Sequence, residues 1–483
     1  MNRRWTFLCT LLLSLWPTLT GAQAFSASDD DFELPEFEPN PQNFKPIEAT
    51  STTEPAPEPP KATVAKEPAP ETFKPVATPV APAPSPAEIQ APVTEKKAEI
   101  VVENESAKVQ AEAIPENLDR PLRVGVFVGV KELYLNYAGE TIKITPAGKN
   151  IKLSSGSHSM EMDTREFSNE DGTCLAVAPD TKSLKQACYP GVMAFRANNG
   201  KLDAINIVDV EDYLRGVVPY EIGRLDTSRI EALKAQAVAA RTYAYKHFNS
   251  REAMGFDVYA DTKDQVYKGL ESATVLTDQA VKATAGVVMM YNNDFIIAYY
   301  HSTCGGVTET LATWNRPDLP YLKSTSDLMK NGTPYCKESS YTKWERNFTD
   351  KEILEMVKSN ANEAKAKFSG FKPSDIKKIK NISIKDKLKS GRILTLIVKT
   401  DKGEMEVLTD RTRWLFKKGG SILPSSFFTI KREGSSWKLT GTGFGHGVGM
   451  CQMGVRARAK DGQSYEEILT HYYQGITLEK FQR

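Results

Sequence analysis

Residues 208–243 read VDVEDYLRGVVPYEIGRLDTSRIEALKAQAVAARTY, and the fold turns on this stretch. A lone carboxyl, Glu221, follows Val217, Val218, Pro219 and Tyr220 and precedes Ile222 and Gly223. Apolar neighbours penalise the charged form of a carboxyl, so the setting favours a proton donor. After a polar turn the pattern predicts a helix over about 227–248. It is dense in alanine, which suits close packing of its backbone against another element. Lys234 and Arg241, seven residues apart, project from nearly one face of it, an unusual place for two cations on a packed helix.

Upstream, 122–128 (LRVGVFV) and 141–145 (TIKIT) alternate apolar and polar residues, as half-buried strands do. They predict a β subdomain over 120–207 that feeds Val208 into the Glu221 stretch. Downstream, 274–284 predicts a helix, and 287–301 a hairpin turning at Asn292-Asn293. A helix over 350–359 starts at the N-cap Thr349, and strands follow at 382–384 and 393–398. A glycine-spaced loop around His446 leads into a helix over 452–460, whose N-terminal amides are expected to meet a sugar hydroxyl or carboxylate. No Gly-Lys-Ser/Thr follows, so it is not a nucleotide phosphate loop. Ser464 to Glu467 reads as a capping box, and Tyr472 and Tyr473 as packing residues. The expected class is α+β, a β-rich N-terminal subdomain joined to a mixed α/β core.

The ends differ sharply in composition. Residues 1–24 carry Arg3 and Arg4, an apolar run and an Ala-Gln-Ala site, the pattern of a secretory signal peptide too short for a confident membrane span. Residues 25–119 are acidic and rich in proline, and are expected to form an extended linker. Their net charge of about −12, with +2 from the signal arginines, leaves +11 on the remainder to give the total of +1. A near-neutral chain therefore conceals a basic domain at 120–483. A secreted basic domain meets other polyanions before nucleic acid, so nucleic acid is not an expected partner. Within it, 208–348 and 436–483 read as the core and 349–435 as an α/β insertion.

Two later motifs, HSTCGGVTE at 301–309 and GFGHGVGMCQMG at 443–454, join YEEIL at 465–469 and the opening stretch in one order. Together they resemble the stage II sporulation protein D (SpoIID/LytB) family of peptidoglycan lytic transglycosylases and amidase enhancers, over roughly 122–481. One departure stands beside the acid: the family's Glu-Met-Pro is Glu221-Ile222-Gly223 here, and glycine is expected to loosen that turn.

The resemblance implies a secreted enzyme of the periplasm or cell-wall space that needs no cofactor. Glu221 acts as acid and then base, closing a 1,6-anhydro ring on N-acetylmuramic acid without a second carboxylate. Lys234, Gln236, Arg241, His446 and Gln452 become candidate substrate ligands, with Lys234 and Arg241 facing the lactyl carboxylates of peptide-free glycan. The alternative is a non-catalytic module that binds wall glycan and recruits or stimulates an amidase.

Five cysteines remain after residue 24. Cys174 and Cys188 flank a short loop and are expected to pair, and Cys304 with Cys336 is the next expected bridge. The alternative uses His301, Cys304 and Cys336, joined by His446 or Cys451, as zinc ligands. Some members of the family hold zinc beside the site in this way.

Overall fold

The computed structural model describes residues 112–113, 118–169 and 171–482. The expected signal segment lies outside them, as does nearly all of the expected linker. The fold is α+β.

Alternation at 122–207 builds most of two five-stranded sheets, the first of which takes its edge strand, Val258–Tyr259, from further along the chain. In one, Leu122–Val130 pairs antiparallel with Lys201–Val208, which in turn pairs with Val192–Asn198. In the other, Leu133–Tyr137, Glu140–Ala147 and Asn150–Ser155 run as an antiparallel meander. Their inward residues, among them Leu122, Val124, Leu135, Ile144, Ile151 and Phe195, are buried in one core. Cys174 and Cys188 are disulfide-bonded, as expected, beside the bridge of Leu175 to Tyr189.

Val208 leads directly into helix α1 (Val210–Glu221), capped by Asp209, whose side chain accepts from the Glu211 amide. Pro219, within it, donates no backbone hydrogen bond, which weakens the last turn just before Glu221. Ile222 closes the helix and Gly223 follows at φ +86°. The glycine is thus the left-handed residue that ends α1, a conformation closed to the proline of the family pattern. It fixes the turn it was expected to loosen. α2 (Ile230–Lys246) is two residues shorter at its end than expected, and Thr227–Arg229 forms a separate short 3₁₀ turn ahead of it. Its alanines at 232, 235, 237, 239, 240 and 244 are all buried, which allows close approach by α1 and by α3 (Val275–Ala283).

The hairpin forms at Val287–Tyr291 and Asp294–Phe295, with Asn292 and Asn293 both at positive φ. Its second strand is shorter than expected. Tyr300–His301 instead pairs parallel with Met450–Cys451. The first hairpin strand pairs with Thr477–Gln482, and that terminal strand also takes Glu112–Ala113, from within the expected linker.

A second hydrophobic core spans Trp344 to Leu439. It holds α4 (Asp350–Asn360), α5 (Thr412–Leu415) and two three-stranded sheets, with Trp344, Trp414 and Trp437 inside. Thr349 caps α4 in a capping box with Glu352. The chain then returns to the first core through α6 (Gln452–Lys460) and α7 (Tyr465–Tyr472), the latter capped by Ser464 and Glu467, with Tyr472 and Tyr473 buried.

Candidate active site

Glu221 stands on the last residue of α1. Gly216, one turn back, lets α1 press against the following loop, for a Cβ there would collide with the Gly269 carbonyl and the Tyr267 ring. That approach brings the Val266 amide to Glu221 Oε1, 2.9 Å away. Gln452 Nε2, on the first residue of α6, lies 3.4 Å from Glu221 Oε2, and the Tyr300 hydroxyl also donates to this carboxyl. Glu221 is closely surrounded by protein yet keeps part of its surface open. Burial pushes it up to about 7, against the three hydrogen bonds, which pull it down. Among the described residues it is the one carboxyl group driven upward.

A buried polar chain stands behind it. Gln265 Nε2 donates to the Tyr300 hydroxyl at 2.9 Å, and the Tyr213 hydroxyl donates to Gln265 Oε1 at 3.2 Å. With its oxygen accepting from Gln265, Tyr300 is left to donate to Glu221. Asp264, next to Gln265, is taken up by Arg251, the Tyr243 hydroxyl and the Tyr259 amide. No second carboxylate hydrogen-bonds to Glu221 among the described residues. Val266, Tyr300, Gln265 and Tyr213 were not singled out from the sequence. Tyr300 adjoins the HSTCGG motif, while the loop carrying Gln265 and Val266 has no pattern that marks it.

The candidate substrate ligands fare unequally. Gln236 is fully buried and accepts from Gln452 Nε2 at 3.4 Å, so the structure brings Glu221, Gln452 and Gln236 together. Arg241 does not face a ligand. It is fully buried, forks onto Glu211 at 2.7 and 2.6 Å, and bonds the Val287 carbonyl, stapling α2 to α1 and the hairpin. Lys234 lies 2.6 Å from Glu231, which also accepts from the Tyr465 amide and so fixes the start of α7. The two expected carboxylate binders thus already hold protein carboxylates. His446 is buried against Trp314 and His301, its Nδ1 accepting from the Val448 amide. Burial holds it well below the usual histidine range, so it packs as a neutral ring. The amides at the start of α6 are also occupied, Met453 donating to the Ser302 carbonyl and Gly454 to Cys451 Sγ.

The expected Cys304–Cys336 bridge is not formed. The two sulfurs are 3.7 Å apart, and Cys451 joins them so that all three Sγ atoms lie within 4.8 Å of one another, fully enclosed. Zinc–sulfur bonds of about 2.3 Å in a tetrahedron hold thiolates roughly 3.8 Å apart, so the donor set fits Zn²⁺. His301 is not among these ligands. Its Nδ1 bonds the Val448 carbonyl, and its other ring nitrogen is buried without a partner. Cys451 immediately precedes Gln452, so the cluster anchors the residue that touches Glu221.

The sequence model described as stage II sporulation protein matches residues 198–291, and one for a domain of unknown function matches 326–449. Stage II sporulation protein D of Bacillus subtilis (strain 168) is 30% identical over 327 residues, covering 63% of this chain and 84% of that protein. The chain belongs to the stage II sporulation protein D family. An amidase enhancer of the same organism is 33% identical over 303 residues, 56% of this chain but 40% of that protein. An uncharacterized protein of Brachyspira hyodysenteriae is 32% identical over 298 residues, 61% of this chain and 73% of that one. Within residues 198–291, matched by the family model, lie α1, α2 and Glu221, so the candidate acid sits inside the matched segment.

Proposed function

We propose that the protein is a lytic transglycosylase that cuts peptidoglycan strands stripped of their stem peptides, exported to the periplasm or cell-wall space in cell-wall remodelling. The observation that carries this reading is Glu221, a solitary carboxyl pushed up to about 7 and still open on one side. Most glycosidases flank the bond with two carboxylates. A lone acid of this kind suits a reaction in which one group does both proton transfers.

Glu221 gives its proton to the oxygen linking N-acetylmuramic acid to N-acetylglucosamine, and the bond from C1 to that oxygen breaks. The muramic C6 hydroxyl then attacks C1 and returns its proton to Glu221. The products are a free hydroxyl on the departing sugar and a 1,6-anhydro ring, with no water consumed. Tyr300 and Gln452 steady the carboxylate between the two transfers, and Tyr213 and Gln265 orient Tyr300. We propose further that Cys304, Cys336 and Cys451 hold a structural zinc ion. Bound there, it would cross-link the turn after His301, the turn at Cys336 and the start of α6.

Digestion of denuded strands followed by mass analysis tests the reading. Wild type should release anhydro ends, and Glu221→Gln should keep the fold and strand affinity while losing roughly 10²- to 10⁴-fold in rate. Similarity to an amidase enhancer favours a second reading, a glycan-binding module that stimulates an amidase. Strand binding by wild type with no anhydro product would decide for it.

A further inference from the structure

With Lys234 and Arg241 occupied, the muramic carboxylate lacks a partner among the residues first assigned to it. Another pair of cations stands on and against α6, the helix that begins with Gln452. Arg456 lies one turn along α6 from Gln452, on the same face, and side chains on a helix lean back toward its N-terminus, here toward the turn that carries Gln452. Its Nη1 meets only the Met453 sulfur, at 3.5 Å, and its Nε is buried with no partner. Arg229, at the end of the 3₁₀ turn that packs on α6, also has a buried Nε with no partner. Its other nitrogens lie 3.2 Å from Glu338 and 3.8 Å from Asp226. Lys460 approaches Glu338 at 3.9 Å. Three cations therefore face two carboxylates.

Burial, then the nearby charge of Arg229, destabilises the Arg456 cation, while Glu338 and Asp226 support it. A further anion would relieve that repulsion and satisfy idle N–H groups. A guanidinium offers donors in a planar fork that matches a carboxylate, with the greatest gain where both groups are partly desolvated.

We propose that Arg456, backed by Arg229, receives the lactyl carboxylate of the muramic acid whose glycosidic bond faces Glu221, an assignment that rests on the glycan-cleaving reading above. The lactyl group is borne by the same sugar ring as the scissile bond. Arg456 is spaced one helical turn, about 6 Å, from Gln452, which itself bonds Glu221, a spacing on the scale of one sugar ring. Strands whose carboxylates are tied up in peptide amides lose this contact, so the pair selects peptide-free glycan.

The test uses full-length Glu221→Gln protein, which holds strands without cutting them, and denuded glycan oligomers with lactyl groups left free or converted to methylamides. The parent should prefer free carboxylates by about 10- to 100-fold, the range of a charge-assisted hydrogen bond. Adding Arg456→Gln should erase the preference while affinity for the amidated strands holds. Arg456→Lys, which keeps charge and packing but not the fork, should retain part of it, as should Arg229→Gln. A parent without the preference overturns the proposal, as does an Arg456→Gln protein that melts like the parent and keeps it. Anhydro release by wild type is read in parallel. Cleavage alongside a preference indifferent to Arg456 sinks this subsite alone, whereas wild type that neither cuts nor binds the strands sinks the glycan reading and the subsite with it.

Discussion

A carboxyl group held near neutrality is built here from ordinary parts. Burial at the end of the apolar run Val217 to Tyr220 removes water around Glu221, and three donors limit how far its acidity moves. The sign of the pH dependence follows. Catalysis begins with the protonated acid, so kcat/KM should fall as pH rises through about 7. Tyr300→Phe, which removes one donor to the ionised form, should move that fall to higher pH. The same group burdens the fold. Between 4.5 and about 7 the folded chain keeps a proton that the unfolded chain has released, so stability declines across that window as pH rises and levels off above it. The cost at pH 8 is on the order of 3 to 4 kcal/mol at most. Denaturant titration of Glu221→Gln should find it more stable than wild type at pH 8 and equal to it at pH 4. Equal stability at both would mean that the carboxyl titrates near its ordinary value. Glu221 was legible because its apolar neighbours are adjacent in sequence. Arg241 was misread because its partner, Glu211, lies 30 residues away on another helix, and nothing in the alanine-rich pattern says which face turns inward.

The decisive element is the short parallel pairing of Tyr300–His301 with Met450–Cys451. One strand end supplies Tyr300 and the other precedes Gln452, so both side-chain donors to Glu221 are set by the same two-residue ladder. That pairing also brings Cys304 to Cys451, whose sulfur accepts from the Cys304 amide at 3.2 Å. The sequence marks both motifs but not that they pair, because 147 residues and a second core separate them. Nearness in sequence therefore pairs Cys174 with Cys188 and Cys304 with Cys336 and leaves Cys451 over. If the three sulfurs hold zinc, metal analysis of purified protein should give one ion per chain. Cys336→Ala and Cys451→Ala should both lose it. Chelation should lower the melting temperature and abolish anhydro release, since the start of α6 then loses its anchor. Metal-free protein with full activity and unchanged melting would leave the cluster a set of packed thiols.

At the scale of the molecule, two hydrophobic cores meet at a polar pin. The part of the chain holding the second core, Trp344 to Leu439, carries 22 Lys and Arg against 12 Asp and Glu, so most of the basic excess expected of the whole domain is gathered there. It enters the first core through Arg392, fully buried, which donates to the carbonyls of Cys304 at 2.8 Å and Val307 at 3.1 Å. Ser390, beside it, bonds Glu309, and both are buried. Gly447 leaves the space that this guanidinium fills, for a Cβ there would strike it. Strand alternation marks the segments on either side of Arg392, but a Ser-Gly-Arg turn between two strands gives no sign of being an attachment to the first core. The pin reaches the backbone of Cys304, so the basic unit and the cysteine cluster share a support. Arg392→Ala strips two buried carbonyls of their donors and opens a cavity, a loss on the order of 3 to 5 kcal/mol. Because each core keeps its own packed apolar residues, that loss should separate their unfolding. Calorimetry should resolve two transitions in Arg392→Ala where wild type gives one, with anhydro release reduced as Cys304 loosens. A single transition at the wild-type temperature would show that the two cores are joined by contacts other than this arginine.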